Sequence, residues 1–191
     1  MPSSADLTFA AALSAAADDI VAALGSASAF APITLIDGRS GSGKSTLAAD
    51  LVARSRGRLQ LIALDDLYPG WDGLAAGAEE ALKRVIAPHA TGHSATWRRW
   101  DWALGRRAEA HTVDPDRPLL VEGAGLLTAE TAALADVTVW LEAPASSRKR
   151  RALDRDGETY RPHWDQWAAQ ETVHLAQHRP QSHAMFIFAM P

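Results

Sequence analysis

The run Gly38-Arg39-Ser40-Gly41-Ser42-Gly43-Lys44-Ser45-Thr46 satisfies the spacing G-x-x-x-x-G-K-[ST] at every fixed position. Its residue types suit a chain of phosphates. Gly38, Gly41 and Gly43 let the backbone turn tightly and bring bare N–H groups against anionic oxygens. Lys44 can reach β- and γ-phosphates as a point charge, and the Ser45 hydroxyl can ligate a Mg²⁺ ion that bridges them. Ser40, Ser42 and Thr46 fill out the cradle. Carboxylates recur at two later points. Asp65-Asp66 closes an apolar run, and Glu122-Gly123 closes another. Acids placed after such runs can approach Mg²⁺, and a paired one can serve as general base. For Asp65-Asp66 the alternative is a turn with an Asp helix cap.

These residues need elements to hold them. Ile33-Thr34-Leu35-Ile36 is a β-branched apolar run directly before Asp37-Gly38, the strand that a phosphate loop requires. Thr46 onward continues as helix, so the loop amides sit at a helix N-terminus, a natural anion site. Leu59–Leu64, Pro118–Gly123 and Val137–Leu141 read as further strands, with Met185–Phe188 as a last one. Helices are expected over Ala5–Leu24, Ala75–Ala87, Thr128–Ala135, Ser146–Arg155 and Trp164–His178. Ser4 could cap the first of these and Gly25 could end it, while Pro88 breaks the second. Strand and helix alternate, which predicts an α/β fold with a mainly parallel sheet. In such sheets ligands bind beyond the carboxyl ends of the strands, where the loop and both acids fall.

Three other stretches carry chemistry-bearing side chains. Trp97-Arg98-Arg99-Trp100-Asp101-Trp102 sets three indoles beside two guanidinium groups, which can stack a base and grip hydroxyls. The alternative is an amphipathic strand. Arg106 and Arg107 follow on an expected short helix. Arg148, Arg151 and Arg155 lie at i, i+3 and i+7 and share a helix face where a lid would cover bound nucleotide. Glu171, His174 and His178 have metal-ligand spacing, but no second set exists, so a solvated helix face is the preferred reading.

Composition narrows the classes. The chain has 191 residues, 47% hydrophobic and 22% charged, which suits one α/β domain. No Cys is present, so disulfides and thiolate zinc sites are excluded. The net charge of −4 argues against a nucleic-acid partner. The chain contains no asparagine, which excludes a guanine-reading Asn-Lys-x-Asp motif. No apolar run is read as spanning a membrane, and the first residues lack the order of a secretory signal, so a cytoplasmic protein is expected.

The order of motifs resembles the uridine kinase-like branch of the P-loop kinases, over about Leu35–Arg161. Asp65-Asp66-Leu67-Tyr68 is similar to that family's Asp-x-Phe-Tyr, whose first Asp serves as base and approaches Mg²⁺. Trp100-Asp101-Trp102 stands where the family has Tyr-Asp-Phe in the nucleoside pocket, and Arg107 matches a later arginine. Glu122-Gly123 is similar to its Glu-Gly, and Arg151 with Arg155-Asp156 to its lid signature. Two positions depart: Gly105 replaces a pyrimidine-reading His, and Ala152 replaces the second lid arginine. The resemblance implies a single P-loop NTPase domain over residues 1–191, a three-layer α/β/α sandwich with a helical lid. Residues 1–31 are an N-terminal helix and loop, 67–112 the acceptor segment and 146–163 the lid. It implies ATP and Mg²⁺ as cofactors, and a small-molecule acceptor as partner. Lys44, Asp65, Arg151 and Arg155 would be catalytic, Ser45, Asp65 and Glu122 would hold metal, and Tyr68, Trp71, Asp72, Trp100, Asp101 and Arg107 would hold the acceptor. The acceptor could be a nucleoside or another metabolite such as a sugar acid, vitamin or nucleoside monophosphate. A regulatory ATPase without a small acceptor is the rival class, and a homodimer is compatible with any of these.

Overall fold

The computed structural model describes residues 4–191. The chain runs through α1 (Ser4–Ser26), β1 (Ile33–Gly38), α2 (Lys44–Arg54) and β2 (Gln60–Ala63), then a short 3₁₀ turn at Leu64–Asp66. It continues through α3 (Leu74–Ala81), a π-turn at Leu82–Ile86, α4 (Ala87–Ala90), β3 (Ala95–Asp101) and β4 (Arg106–Val113). Then come β5 (Leu119–Glu122), α5 (Ala129–Ala132), β6 (Val137–Glu142), α6 (Ala145–Tyr160), α7 (Trp164–His178) and β7 (Phe186–Ala189).

Five strands form one sheet in the order β2-β5-β1-β6-β7, and every described pairing in it is parallel. Side chains alternate between its faces, as strand pleating requires. Leu35, Leu119 and Val121 enter a core with Leu64, Tyr68, Leu74, Trp97 and Trp167. Ile36, Leu120, Val139 and Leu141 enter a second core with Leu13, Ile20, Leu47 and Leu51. With both faces covered, β1 is buried along its whole length, so its sequence shows no solvent-facing alternate, and its polar residues, Thr34 and Asp37, are buried too. The sheet is therefore the middle of three layers.

Register places the site. Ile36 and Ala63 both lie level with Glu122. The chain leaves β1 two residues past Ile36 to start the phosphate loop, and β2 ends at Ala63, two residues before Asp65. The order β5-β1-β6 puts the strand reversal beside β1, the crevice in which open α/β sheets bind ligands.

Several local expectations change. Arg106 and Arg107 start β4, which pairs antiparallel with β3, so no short helix exists there. Cross-strand pairing outweighs the helix propensity of Arg, Ala and Glu, and Gly105 turns the hairpin at φ 60°. Pro88 does not break its helix: the π-turn Leu82–Ile86 directly before it shifts the hydrogen-bond ladder, and the helix runs on to Ala90. Helix α1 continues past Gly25 to Ser26. The expected lid is helical nearly throughout, with Gly157 stepping out of α6 at φ 56° and ψ −133°. Helix α5 is shorter than expected, capped by the Thr128 side chain accepting from the Thr131 amide. By length and composition, Asp6–Ser26 is apolar enough to cross a membrane, which corrects the reading that no stretch is. Alanine raises its hydropathy while scattered polar residues hide it from a search for unbroken runs. In the fold, Leu13, Ala16, Ala17 and Ile20 of this helix pack into the second core.

Candidate functional site

The phosphate loop is built by backbone that only glycine tolerates. Gly41 has φ 78°, and a Cβ there would lie 2.1 Å from the Arg148 carbonyl oxygen. Gly43, the N-cap of α2, has φ 112°. The loop is then gripped from three sides. Asp37, fully buried, accepts from the amides of Gly38 at 2.6 Å, Leu127 at 2.7 Å and Gly125 at 3.1 Å. It thereby ties the end of β1 to the loop that follows Glu122. Glu171 of α7, also buried, accepts from Ser40 N at 2.5 Å and Arg39 Nε at 2.9 Å. Arg148 of α6 donates to Ser40 O and Ala143 O, both at 3.1 Å, and its burial lowers its pKa.

Lys44 is buried, with Nζ 3.3 Å from Arg39 O. Ser45 and Glu122 line the same cavity. Glu122 is buried at the end of β5, and burial is the main reason its pKa is raised, with Lys44 opposing and Asp65 reinforcing. Asp65 follows the 3₁₀ start after β2 and lines a cavity of about 580 Å³. Its surface opens into that cavity, yet protein encloses it, and this confinement raises its pKa against the pull of Arg155 and Lys44. Ser45, Asp65 and Glu122 are hard oxygen donors facing one space, which suits Mg²⁺. Among the described residues no three His, Asp or Glu side chains converge to hold an ion unaided. Two carboxylates and a hydroxyl are the partial set that phosphate and water oxygens would complete.

The same cavity is lined by Tyr68, Trp71, Trp102, Tyr160 and Trp167. Trp71 is the hub: its ring stacks on His163 at 4.3 Å and Tyr160 at 5.3 Å, and tilts against Trp102 at 4.8 Å. Trp102 Nε1 donates to the Asp65 carbonyl oxygen at 2.8 Å, so the β3–β4 hairpin is tied to the backbone of the candidate base. Tyr68 OH donates to Ala124 O at 2.7 Å. Burial raises the pKa of Tyr160.

The structure thus brings Lys44, Ser45, Asp65, Glu122, Tyr68, Trp71, Arg151 and Arg155 to one cavity. The two lid arginines differ. Arg151 donates to Gly41 O at 2.8 Å and Pro191 O at 2.9 Å, which fastens it to the loop. Arg155 pairs with Asp156, its pKa is raised chiefly by that bond, and it attracts Asp65 and Glu122 across the cavity. Asp66 lies outside the cavity wall, its pKa raised by burial and then by Asp65, with Arg99, His111 and Glu109 as its other charged neighbours. Asp72, Trp100, Asp101 and Arg107 also lie outside that wall. Asp72 accepts from Gln166 at 2.6 Å, and Asp101 accepts from the Ala103 and Leu104 amides to shape the hairpin turn. Arg107 donates to Leu67 O and Arg98 O at 3.1 Å and sits over the Trp100 ring at 5.8 Å.

Glu171 and His174 correct the solvated-face reading. Both are buried, with His174 Nε2 3.3 Å from Asp37 Oδ2. The signal was available: Trp164, Trp167, Glu171 and His174 follow helical spacing, so the carboxylate stands within an apolar stripe. Asp37, Tyr160, Trp167 and Phe9 were not singled out, since none stands in a phosphate-binding spacing, and Arg148, expected over the nucleotide with the lid arginines, instead braces the loop from below.

No protein-family model matches the chain, and no curated protein matches it by sequence. Solved structures do. A possible uridine kinase from Bacillus stearothermophilus superposes with TM-score 0.67 at 21% identity, over 93% of this chain and 97% of that one. A candidate fructose transport system kinase from Silicibacter sp. TM1040 superposes with TM-score 0.55 at 19% identity, over 92% and 98%. The chain has the three-layer α/β fold of these P-loop kinases.

Proposed function

We propose that this protein is a Mg²⁺-dependent kinase that transfers the γ-phosphoryl group of ATP to a hydroxyl of a small, uncharged molecule. The observation that carries the reading is the position of Asp65. It lines one cavity with the phosphate loop and Trp71, feels the charge of Lys44, and carries the Trp102 bond on its carbonyl oxygen. A phosphate-binding loop alone supports any nucleotide-binding function. A confined carboxylate between that loop and an aromatic basket supports an acceptor whose proton it can take.

Loop amides and Lys44 hold the phosphates in line. The Asp65 carboxylate takes the proton of the acceptor hydroxyl. That oxygen bonds to the γ-phosphorus as the bond to the β–γ bridging oxygen breaks, and ADP leaves. Bound Mg²⁺, held by Ser45, Asp65 and Glu122, would offset the phosphate charge. Arg155 balances charge on the transferring group, and α6 with the hairpin excludes water that would otherwise accept the phosphoryl group. The acceptor end is walled by Trp71, Trp102, Tyr160 and Trp167, with Arg155 already paired to Asp156. That wall favours a nucleoside or sugar over an anionic acceptor, because rings stack on bases and sugar faces while an anion would need a free cation.

The test is ADP release from Mg-ATP across nucleosides, sugars, vitamins and their phosphorylated or acidic forms, with Lys44→Ala as blank. Stimulation by an uncharged acceptor, absent in the blank, is the expected result. Slow hydrolysis that no acceptor stimulates would overturn the kinase reading, and stimulation by anionic acceptors alone would overturn its selectivity.

A further inference from the structure

The cavity has two ends, and the reading above uses one of them. Asp65 and Glu122 mark where the γ-phosphoryl group reacts, and the ring cluster around Trp71 adjoins that end through the bond from Trp102 to Asp65. A triphosphate held on the loop with its γ-group there must leave its nucleoside at the loop's other end, where the first amides of α2 begin. The cavity wall at that end is Phe9, Thr46 and Arg151.

Phe9 belongs to α1, outside the strand–loop–helix unit, yet it rests on the loop itself. A Cβ at Gly43 would lie 2.8 Å from Phe9 Cζ. The Arg151 guanidinium sits over the Phe9 ring, 4.3 Å from its centroid. None of the ring partners of Trp71 touches it. Its placement is fixed from below. Leu13, one helical turn on, is buried with Ala16, Ala17 and Ile20 against Leu47 and Leu51 of α2. Arg54 of α2 adds bonds to Asp18 and to Ser14, the latter at 3.0 Å. A half-buried phenyl ring is thus held at the mouth of the phosphate cradle with part of its surface in the cavity.

We propose that α1 completes the nucleotide site, with Phe9 forming the wall on which the nucleobase lies. This rests on the kinase reading and adds the base subsite to it. The chemistry offered is a π-face beside a guanidinium whose Nε and Nη1 already donate to Gly41 O and Pro191 O. Such a wall attracts any flat base and reads little of its edge. Purine nucleotides should therefore bind alike, and a triphosphate without a base should bind more weakly.

The test is calorimetric titration of the full chain and of Phe9→Ala and Phe9→Leu with Mg-ATP, Mg-GTP and Mg-tripolyphosphate. In the wild type, ATP and GTP should agree within about tenfold, and both should exceed tripolyphosphate by roughly tenfold, the usual effect of one aromatic stack. Phe9→Ala should remove that excess, leaving tripolyphosphate within about twofold of the wild type. Phe9→Leu keeps the apolar contact with Gly43 and Leu13 and should also lose most of the excess, which separates stacking from support of the fold. Equal weakening of all three ligands in both variants, or no weakening in either, overturns the proposal and leaves the kinase reading intact. A wild type that binds neither ATP nor tripolyphosphate removes both.

Discussion

Asp65 and Glu122 line one cavity, and each has its pKa raised chiefly by the protein that encloses it. For Asp65 the folded value lies above the ordinary 3.8, so its ionisation opposes folding. The neutral form's advantage is fully present below the unfolded value and is lost as pH rises through the folded one. With EDTA present at neutral pH, Asp65→Asn should therefore melt at a higher temperature than the wild type, and the difference should vanish as the pH falls towards 4 or below, in the range of an ordinary Asp. The same variant should lower kcat by about 100-fold or more while retaining Mg-ATP, the usual size of a lost general base. Thermal melts and kcat measured together check both; a stabilised variant with full kcat would remove Asp65 from the base role. Legibility at this scale follows the phosphate chemistry. Lys44, Ser45, Asp65 and Glu122 were visible because phosphate chemistry ties them to a loop spacing or a strand end. Asp37 was not, because a carboxylate that serves buried amides carries no spacing of its own, and the grip of Glu171 on the loop was hidden for the same reason although its helical position was legible.

Elements fix how still the loop is held. Helix α7 reaches it chiefly through Glu171, which accepts from Ser40 N and Arg39 Nε, with Ala168 O accepting from Arg39 Nη2 beside it. Glu171→Ala leaves the Ser40 amide without its buried acceptor and the Arg39 guanidinium with Ala168 O alone, a loss of about 1–3 kcal/mol. The urea midpoint should fall, and KM for ATP should rise because the loop's third residue is released. Glu171→Gln keeps an acceptor oxygen for Ser40 and should recover most of the KM change; if Gln and Ala behave alike, charge pairing with Arg39 is what matters. The strands of the sheet were legible because buried parallel strands are short apolar runs bounded by loops. The hairpin was not. Alternation along Arg107–Val113 is blurred by Arg, Glu and Ala, and its pairing partner lies across a turn that local pattern does not announce.

At the scale of the whole molecule, the cavity wall is assembled from pieces distant in sequence: Phe9, the loop, Asp65, Trp102, Glu122, Arg155 and Trp167. Those pieces differ in how firmly they are held. The loop, Asp65 and Glu122 follow strands of a covered sheet, whereas β3 and β4 form a two-stranded sheet of their own. An isolated hairpin is marginal in water, so this one depends on its docking. It docks through buried Trp97 and Val113, through Arg107 on Leu67 O, and at its tip through Trp102 on Asp65 O. Ligand linkage can separate the two kinds of wall. Mg-ATP at about 100 times its Kd should stabilise the fold by about 2.7 kcal/mol, roughly 5–10 °C in Tm for a chain of this size. Saturating acceptor should add a further shift. Trp102→Ala removes the hairpin's hold on the acceptor end and leaves the loop untouched. The variant should therefore keep the Mg-ATP shift and lose most of the acceptor's, and its hairpin amides should exchange faster than those of β1. If both shifts survive, the acceptor is held by the sheet and α7 alone, and the hairpin is no part of its site.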